Sequence, residues 1–358
     1  MKPVARIAGA GPAGLCAAVL LARAGVRVEV REKRADVGAR FRGAVHGIEN
    51  WSTPAPFAQH LVELGPGLGA VATPCRELLL CDEARVWRVR SDEPLFYLVR
   101  RGPEPDALEG TLLGLARGAG AEVRFGAVFA PDEVDLEATG PRREQRFCVE
   151  AGFHFRTRAR DLAAALVSRE ATPGGYAYLL VRAGIGSLCA VRFDGGGVSR
   201  QQLEACERIL RRHAPVDMSE RRSGAGFGGF SAVGQLLRGG AWAVGEAAGL
   251  QDALWGFGIR RALTSAALAA RAWVDGADYS ALCRRRLALP DRAALVNRCL
   301  WDVTAALGLP LYAPLLCRQP DVRAVLGRAT REAWPHRLLY PLVRPWLRQR
   351  LPWLVAPR

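Results

Sequence analysis

Lysine is nearly missing from this sequence. Lys2 and Lys33 are the only lysines among its 50 basic residues, so arginine carries the formal net charge of +15. Such a skew reflects base composition more readily than selection for bidentate phosphate contacts. With no interleaving of aromatic and basic residues and no recognised reader motif, nucleic acid is not an expected partner. The nine cysteines are odd in number and scattered, form no C-x-x-C pair, and have no histidine at metal-ligand spacing. Neither a disulfide framework nor a metal site is therefore expected, and the thiols fit a reducing cytoplasm as small buried groups. No apolar run reaches the roughly 18 residues that a membrane span needs. The apolar stretch behind Lys2 and Arg6 imitates a signal peptide, but Gly9, Gly11 and Gly14 within it have a better explanation below. His46, His60, His154, His213 and His336 accompany no nucleophile in a recognised elbow, which argues against a Ser-His-Asp or Cys-His hydrolase.

What is present can bury a core: half of the residues are hydrophobic and 24% are charged, and 358 residues exceed one compact core, so two lobes are expected. Residues 4–8 are short and apolar, as a buried parallel strand should be, and an Ala/Leu-rich helix over 15–24 and a second strand over 26–32 follow. Further on, the pattern predicts a helix over 54–64, a hairpin from 76–81 and 84–90, a strand over 95–100, and a helix over 106–117. Strands follow over 121–125 and 133–137, then a hairpin from 176–181 and 187–193 turning at Ala183-Gly184. An amphipathic helix over 201–212, a buried strand over 241–245 and an Ala-rich helix over 259–274 come next. Beyond residue 276 the chain reads as helices broken by prolines. There is no internal repeat and no low-complexity linker.

Gly9-Ala10-Gly11-Pro12-Ala13-Gly14 joins the first strand to the first helix, and that context gives the glycine pattern its meaning. Gly9 permits the tight turn, Gly11 lets backbone amides approach a pyrophosphate, Gly14 allows close helix-to-strand packing, and the helix N-terminus supplies positive potential. Glu32, 18 residues past Gly14, can accept hydrogen bonds from ribose hydroxyls and favours an unphosphorylated ribose, hence FAD or NAD over NADP. A second glycine run, Gly224-Ala225-Gly226-Phe227-Gly228-Gly229, has no helix after it and reads as a close-packed loop or strand end near the ligand.

Ala243-Val244-Gly245-Glu246-Ala247-Ala248-Gly249, then Gly256-Phe257-Gly258-Ile259 and the Ala-rich helix, form the second constellation. With the N-terminal loop, it resembles the flavoprotein superfamily that includes geranylgeranyl reductases, aromatic hydroxylases and flavin halogenases, over residues 1 to about 275. The resemblance implies an α/β fold. A Rossmann-type FAD-binding domain, with a central parallel sheet and a three-stranded crossover, would occupy residues 1–70, 96–150 and 230–275. An inserted β-rich substrate domain would hold 71–95 and 151–229, and a helical C-terminal region 276–358. It further implies that Gly245 and Glu246 hold the ribityl chain and that Gly256, Gly258 and Ile259 face the flavin. Arg101, in a segment like the superfamily's Arg-x-x-x-x-Asp, would approach a flavin phosphate or ring edge, and Lys33 and Arg40 join the cofactor set. Glu246 stands where the superfamily usually has Asp. Ala138-Thr139-Gly140-Pro141-Arg142 replaces the hydroxylases' Asp-Gly pair, the halogenases' Trp-x-Trp motif is absent, and Pro173-Gly174-Gly175-Tyr176-Ala177-Tyr178 matches part of a reductase cavity segment.

His46, Trp51, Tyr176, Tyr178, Gln251, Asp252 and Trp255 are candidates for the substrate face, because they sit beside the cofactor loops or in that segment. Among them the proton donor is left open. The expected function is an FAD-dependent oxidoreductase in which NAD(P)H, docking transiently, reduces the flavin and the flavin reduces a hydrophobic substrate such as an isoprenoid or lipid-like alkene. A monooxygenase is the alternative within the enzyme class, and a non-redox flavin protein, lyase or cyclase the alternative outside it. Residues 323–358 combine tryptophans and leucines with eight arginines against Glu332 alone. That composition suits peripheral contact at the inner face of a membrane, and it equally suits a cap over the substrate domain with apolar faces inward.

Overall fold

The apolar segment at the N-terminus becomes the central strand of the molecule because hydrophobic elements cover both of its faces. In the computed structural model, which describes residues 4–350 apart from 54, 65–67, 144–145, 195, 232–234 and 290, β1 (Ala5–Ala8) leads through the glycine loop into α1 (Pro12–Arg23) and β2 (Val28–Glu32). The chain then gives β3 (Val45–Glu49), α2 (Phe57–Leu64), β4 (Ala72–Cys75), β5 (Glu77–Cys81), β6 (Val86–Arg90), β7 (Phe96–Arg100) and α3 (Leu108–Gly118). Next come β8 (Glu122–Phe125), β9 (Leu136–Glu137), β10 (Arg146–Arg156), β11 (Leu162–Leu166), β12 (Gly175–Arg182), β13 (Ile185–Arg192), α4 (Arg200–His213) and β14 (Ser219–Gly229). Two short strands, β15 (Leu237–Arg238) and β16 (Ala241–Ala243), precede α5 (Ile259–Asp275), α6 (Tyr279–Arg286), α7 (Arg292–Cys317), α8 (Val322–Thr330) and α9 (Trp334–Arg350).

Three sheets result. The first runs β15-β16-β9-β1-β2-β8 and is parallel except for β15, with α1, α3 and α5 packed into its core. A three-stranded antiparallel sheet, β3-β7-β4, occupies the chain between β2 and α3. The third, β14-β10-β13-β12-β11-β5-β6, buries one face against α4 and turns the other toward the three-stranded sheet and the C-terminal helices. The Val45 amide donates to Ser187 Oγ at 2.7 Å and so ties β3 to β13, joining the second sheet to the third. The α/β architecture, with its parallel Rossmann-type sheet, β-rich addition and helical end, is the one expected.

Two expectations need correction. The prolines beyond residue 276 do not all end helices: Pro310 and Pro314 lie inside α7, and Pro341 and Pro345 inside α9. A proline within a helix removes one amide donor and crowds the carbonyl four residues earlier, so it can bend the helix where it does not end it. The two halves of α7, Arg292–Thr304 and Leu309–Cys317, are bent by 119° ahead of Pro310. The strand expected over 133–137 shrinks to Leu136–Glu137, because Pro131–Glu133 is a single 3-10 turn.

The β12–β13 hairpin turns at Ala183 and Gly184, which both have positive φ (48° and 77°), as a two-residue type I′ turn requires. Alanine is strained there and asparagine tolerates it. Ala183→Asn should therefore raise stability by about 1 kcal/mol, read from the midpoint of chemical denaturation.

Candidate functional site

Gly9 has φ +103°, and a Cβ on it would lie 2.5 Å from the Ala138 carbonyl oxygen. A Cβ on Gly14 would lie 2.0 Å from the Gly9 oxygen, so only glycine lets α1 sit this close to β1. Gly11 is the opposite case. Nothing lies within 4 Å of its Cβ direction, and it opens onto a cavity of about 370 Å³. Gly11 caps α1 without a side chain, and Gly258 caps α5 likewise, whereas Ser199, Asp278, Asp291 and Asp321 cap α4, α6, α7 and α8. The first amides of α1 and α5 are thus left without a capping side chain at the wall of one cavity, which Gly11, Pro12, Ala13, Gly258 and Ile259 all line. Glu32 accepts hydrogen bonds from the amides of Ala10 and Arg34, both at 2.9 Å, which fixes its carboxylate beside the loop. Lys33 is exposed and does not line the cavity.

Gly245, at φ +61°, is wedged between the two helices: its Cβ position is 3.0 Å from Ala13 Cβ and 3.3 Å from Ala262 Cβ. Its amide donates to Ser265 Oγ at 2.9 Å, and it sits behind the cavity wall that Val244 and Glu246 form. Glu246 pairs with Arg40 at 3.7 Å; burial raises its carboxyl above the usual range, opposed by Arg40 and Arg101. Arg40 also lies over Phe41 and Phe227 and donates to the Phe227 carbonyl. Gly256 lines the cavity at φ +78°. Asp252 does not line it. Its carboxylate accepts from the Leu254 and Trp255 amides at 3.2 and 2.6 Å, so it shapes the turn that presents Trp255.

The second glycine run is the end of β14, as the close-packed reading anticipated. Glycine at 224, 226 and 228 clears one face of the strand: Cβ atoms there would meet His154 Nε2 at 2.8 Å, Arg40 Nη2 at 3.4 Å and Gln251 Oε1 at 2.0 Å.

Of the tandem arginines, Arg100 pairs with Asp106 at 2.9 Å and Glu104 at 3.3 Å, while Arg101 is buried and lines the cavity. Glu109, also buried, accepts from Arg101 Nε at 2.7 Å, and the Nη1 group of Arg101 donates to His46 Nδ1 at 2.8 Å. Because guanidinium only donates, this contact makes Nδ1 the acceptor and puts the His46 proton on Nε2. Nε2 stands 3.8 Å from Glu150 Oε1, too far for a direct hydrogen bond, so both groups keep capacity at the cavity wall. Burial raises the Glu150 carboxyl, but the neighbouring His46, then Tyr178 and His154, bring it below its ordinary value.

Tyr176 and Tyr178 differ in the same way. Tyr176 donates its hydroxyl to the Trp255 carbonyl at 2.6 Å. The Tyr178 hydroxyl has no partner at hydrogen-bonding length among the described residues, though Glu150 and Cys189 stand beside it, and burial raises its pKa well above 10. Trp51 and Trp255 are walls, edge-on to Phe257 and Trp301 respectively. His46, Trp51, Tyr176, Tyr178 and Trp255 are therefore brought together. Reasoning from sequence missed Glu150 and His154, which share one face of β10, and Arg298, which is buried on the Phe193 ring and donates to the Leu254 carbonyl at 2.9 Å.

Burial, then His46, depress His154 to about 4 from 6.5. The unfolded chain therefore takes up a proton near pH 6.5 that the folded chain refuses until about pH 4. The stability this histidine contributes is complete above pH 6.5 and lost as pH falls through that window. Thermal midpoints measured across it should fall less steeply in His154→Gln than in the parent.

Residues 7–68 match the family model described as NAD(P)-binding Rossmann-like domain. No curated protein sequence matches the chain. Among solved structures, a geranylgeranyl bacteriochlorophyll reductase-like protein from Thermoplasma acidophilum superposes with a TM-score of 0.66 at 17% identity, covering 99% of this chain and 98% of its own. A flavoprotein/dehydrogenase from Cytophaga hutchinsonii gives 0.63 at 16%, over 97% and 100%. A flavin-dependent brominase gives 0.62 at 14%, over 97% and 99%. Residues 7–68 are thus similar to an NAD(P)-binding Rossmann-like domain, and the chain as a whole has the fold of these three proteins.

Proposed function

We propose that this chain is an FAD-dependent oxidoreductase that reduces a hydrophobic organic substrate with electrons from NAD(P)H. The observation that carries the reading is one cavity with two kinds of wall. At one end stand two helix N-termini without side-chain caps; at the other stand aliphatic groups such as Leu78, Leu80, Val191 and Leu316. The residues present fit the cofactor. Gly11 leaves open space at the α1 amides for a pyrophosphate, Glu32 is held where ribose hydroxyls would meet it, and Glu246 with Arg40 and the Gly258-Ile259 amides would hold the ribityl chain and ring. Bound FAD would supply the redox chemistry, taking a hydride from NAD(P)H and giving two electrons to the substrate.

The protein's own groups supply the proton and the dry surroundings. Reducing an alkene takes one hydride equivalent and one proton. Tyr178 is the best placed donor, since burial keeps its phenol protonated and its hydroxyl is not spent on the backbone as that of Tyr176 is. Beside it, Glu150 and His46, whose ring Arg101 orients, form the polar wall of the cavity. Trp51, Trp255 and the aliphatic wall keep water from the reacting atoms.

The test is the visible spectrum of the purified protein, followed by anaerobic NADH or NADPH. A flavin spectrum that bleaches is expected. Absence of FAD even when supplied in excess sinks the reading, and bound flavin that no nicotinamide reduces sinks its redox part. Stoichiometric oxygen uptake with hydroxylated product would make the enzyme a monooxygenase. Tyr178→Phe should keep FAD content and the rate of bleaching, yet slow reoxidation by the best alkene acceptor by about 10²–10⁴-fold.

A further inference from the structure

The cavity does not end at the sheets. Tyr312, Leu309 and Leu316, in the half of α7 that follows the bend, form part of its wall, and Tyr312 is also 45% exposed. Its neighbours Leu311 and Leu315 are 66% and 57% exposed. One short helical segment thus has the chamber on one side and solvent on the other, with leucines facing both.

This is where the molecule concentrates its exposed apolar surface. Eight of the twelve large hydrophobic side chains that are exposed among the described residues fall between residues 300 and 342. In α9, Trp334, Leu338 and Leu342 recur every fourth residue, which puts them on one stripe of the helix, and all three are exposed. The opposite side of α9 packs inward through Tyr340, Val343 and Leu347. Arg337 and Arg344, also exposed, fall by helical period to one side of the stripe. No single helix among the described residues is long and apolar enough to cross a membrane. An apolar stripe flanked by arginine, in a region with eight arginines against one glutamate, instead matches the interfacial plane of an anionic bilayer.

We infer that α9 and the second half of α7 dock this protein on an anionic lipid surface, with the part of the cavity wall formed by Tyr312 turned toward the acyl region. A hydrophobic substrate then enters from the bilayer without crossing water. The docking surface stands on its own, whereas the substrate's route rests on the proposed oxidoreductase reading.

The test is co-sedimentation of the full-length protein with vesicles of phosphatidylcholine alone or with about one third phosphatidylglycerol. The expected result is binding that needs the anionic lipid and weakens as salt shortens the reach of charge. Arg337→Gln with Arg344→Gln should weaken it about thirtyfold, and Leu338→Ser with Leu342→Ser on the order of a hundredfold. Unchanged thermal midpoints would show that both variants fold. Binding to neither vesicle, or equal binding by parent and variants, overturns the inference. So does a dimer in gel filtration that the leucine variant disperses, because a second copy would then cover this face. None of these readouts depends on flavin, so a failed flavin assay leaves the docking result interpretable.

Discussion

The first turns of α1 and α5, whose N-termini point into one cavity, nearly touch. Here Gly245 makes that approach possible. Ala13 of α1 and Ala262 of α5 stand on either side of it, 3.0 and 3.3 Å from where its Cβ would lie, tighter than side chains ordinarily pack. Further down, α1 and α5 bury a run of alanines against one another and against the parallel sheet, so the contact is made almost backbone to backbone. The positive ends of the two helix dipoles consequently act on the same space. They lie beside groups too small to screen them, and their amides are not already satisfied by capping side chains. Larger residues at 13, 245 or 262 would separate the two ends, so that their dipoles no longer acted on the same space.

The polar side of the cavity has its own anchor. Arg101 and Glu109 are both buried, which is tolerable only because each satisfies the other, with the Gly102 amide and His46 taking what remains. The pair joins the end of β7 to the start of α3, and through His46 it fixes which imidazole nitrogen carries the proton. An ion pair between β7 and α3 thereby orients a group that faces the other sheet. Across the gap, Val45 and Ser187 hold the two sheets in register, so Glu150 meets His46 at a distance set by the backbone.

Much of this was legible in the sequence, and the rest was not for definite reasons. The glycine loop, Glu32 and the turn into α5 could be read because backbone conformation there admits few residues. The Ala183-Gly184 turn was readable for the same reason. β10 escaped notice although its pattern is regular. Cys148, Glu150, Gly152 and His154 alternate with residues of which Phe153 and Phe155 pack toward α4. Gly152, Glu150 and His154 in that stretch hide a strand whose polar face is lined by other protein groups. Asp252 was read as a candidate because it lies between two cofactor motifs, and proximity in sequence said nothing of its preference for the amides of its own turn. In α7 and α9 prolines look like stops, and the turn ahead of Pro310 does break α7, but helix continues through Pro314, Pro341 and Pro345.

The bare face of β14 has a consequence for how such a cavity can diversify. Because residues 226 and 228 contribute no side chains, the shape of the wall there is borrowed from Arg40 and Gln251, which come from two separate segments. The strand is a blank panel and the relief upon it is supplied by its neighbours. A change at either of those positions would re-contour the chamber without disturbing a single hydrogen bond of the ladder. Lineages that share this panel could therefore exchange one substrate for another while the sheet itself stayed as it was.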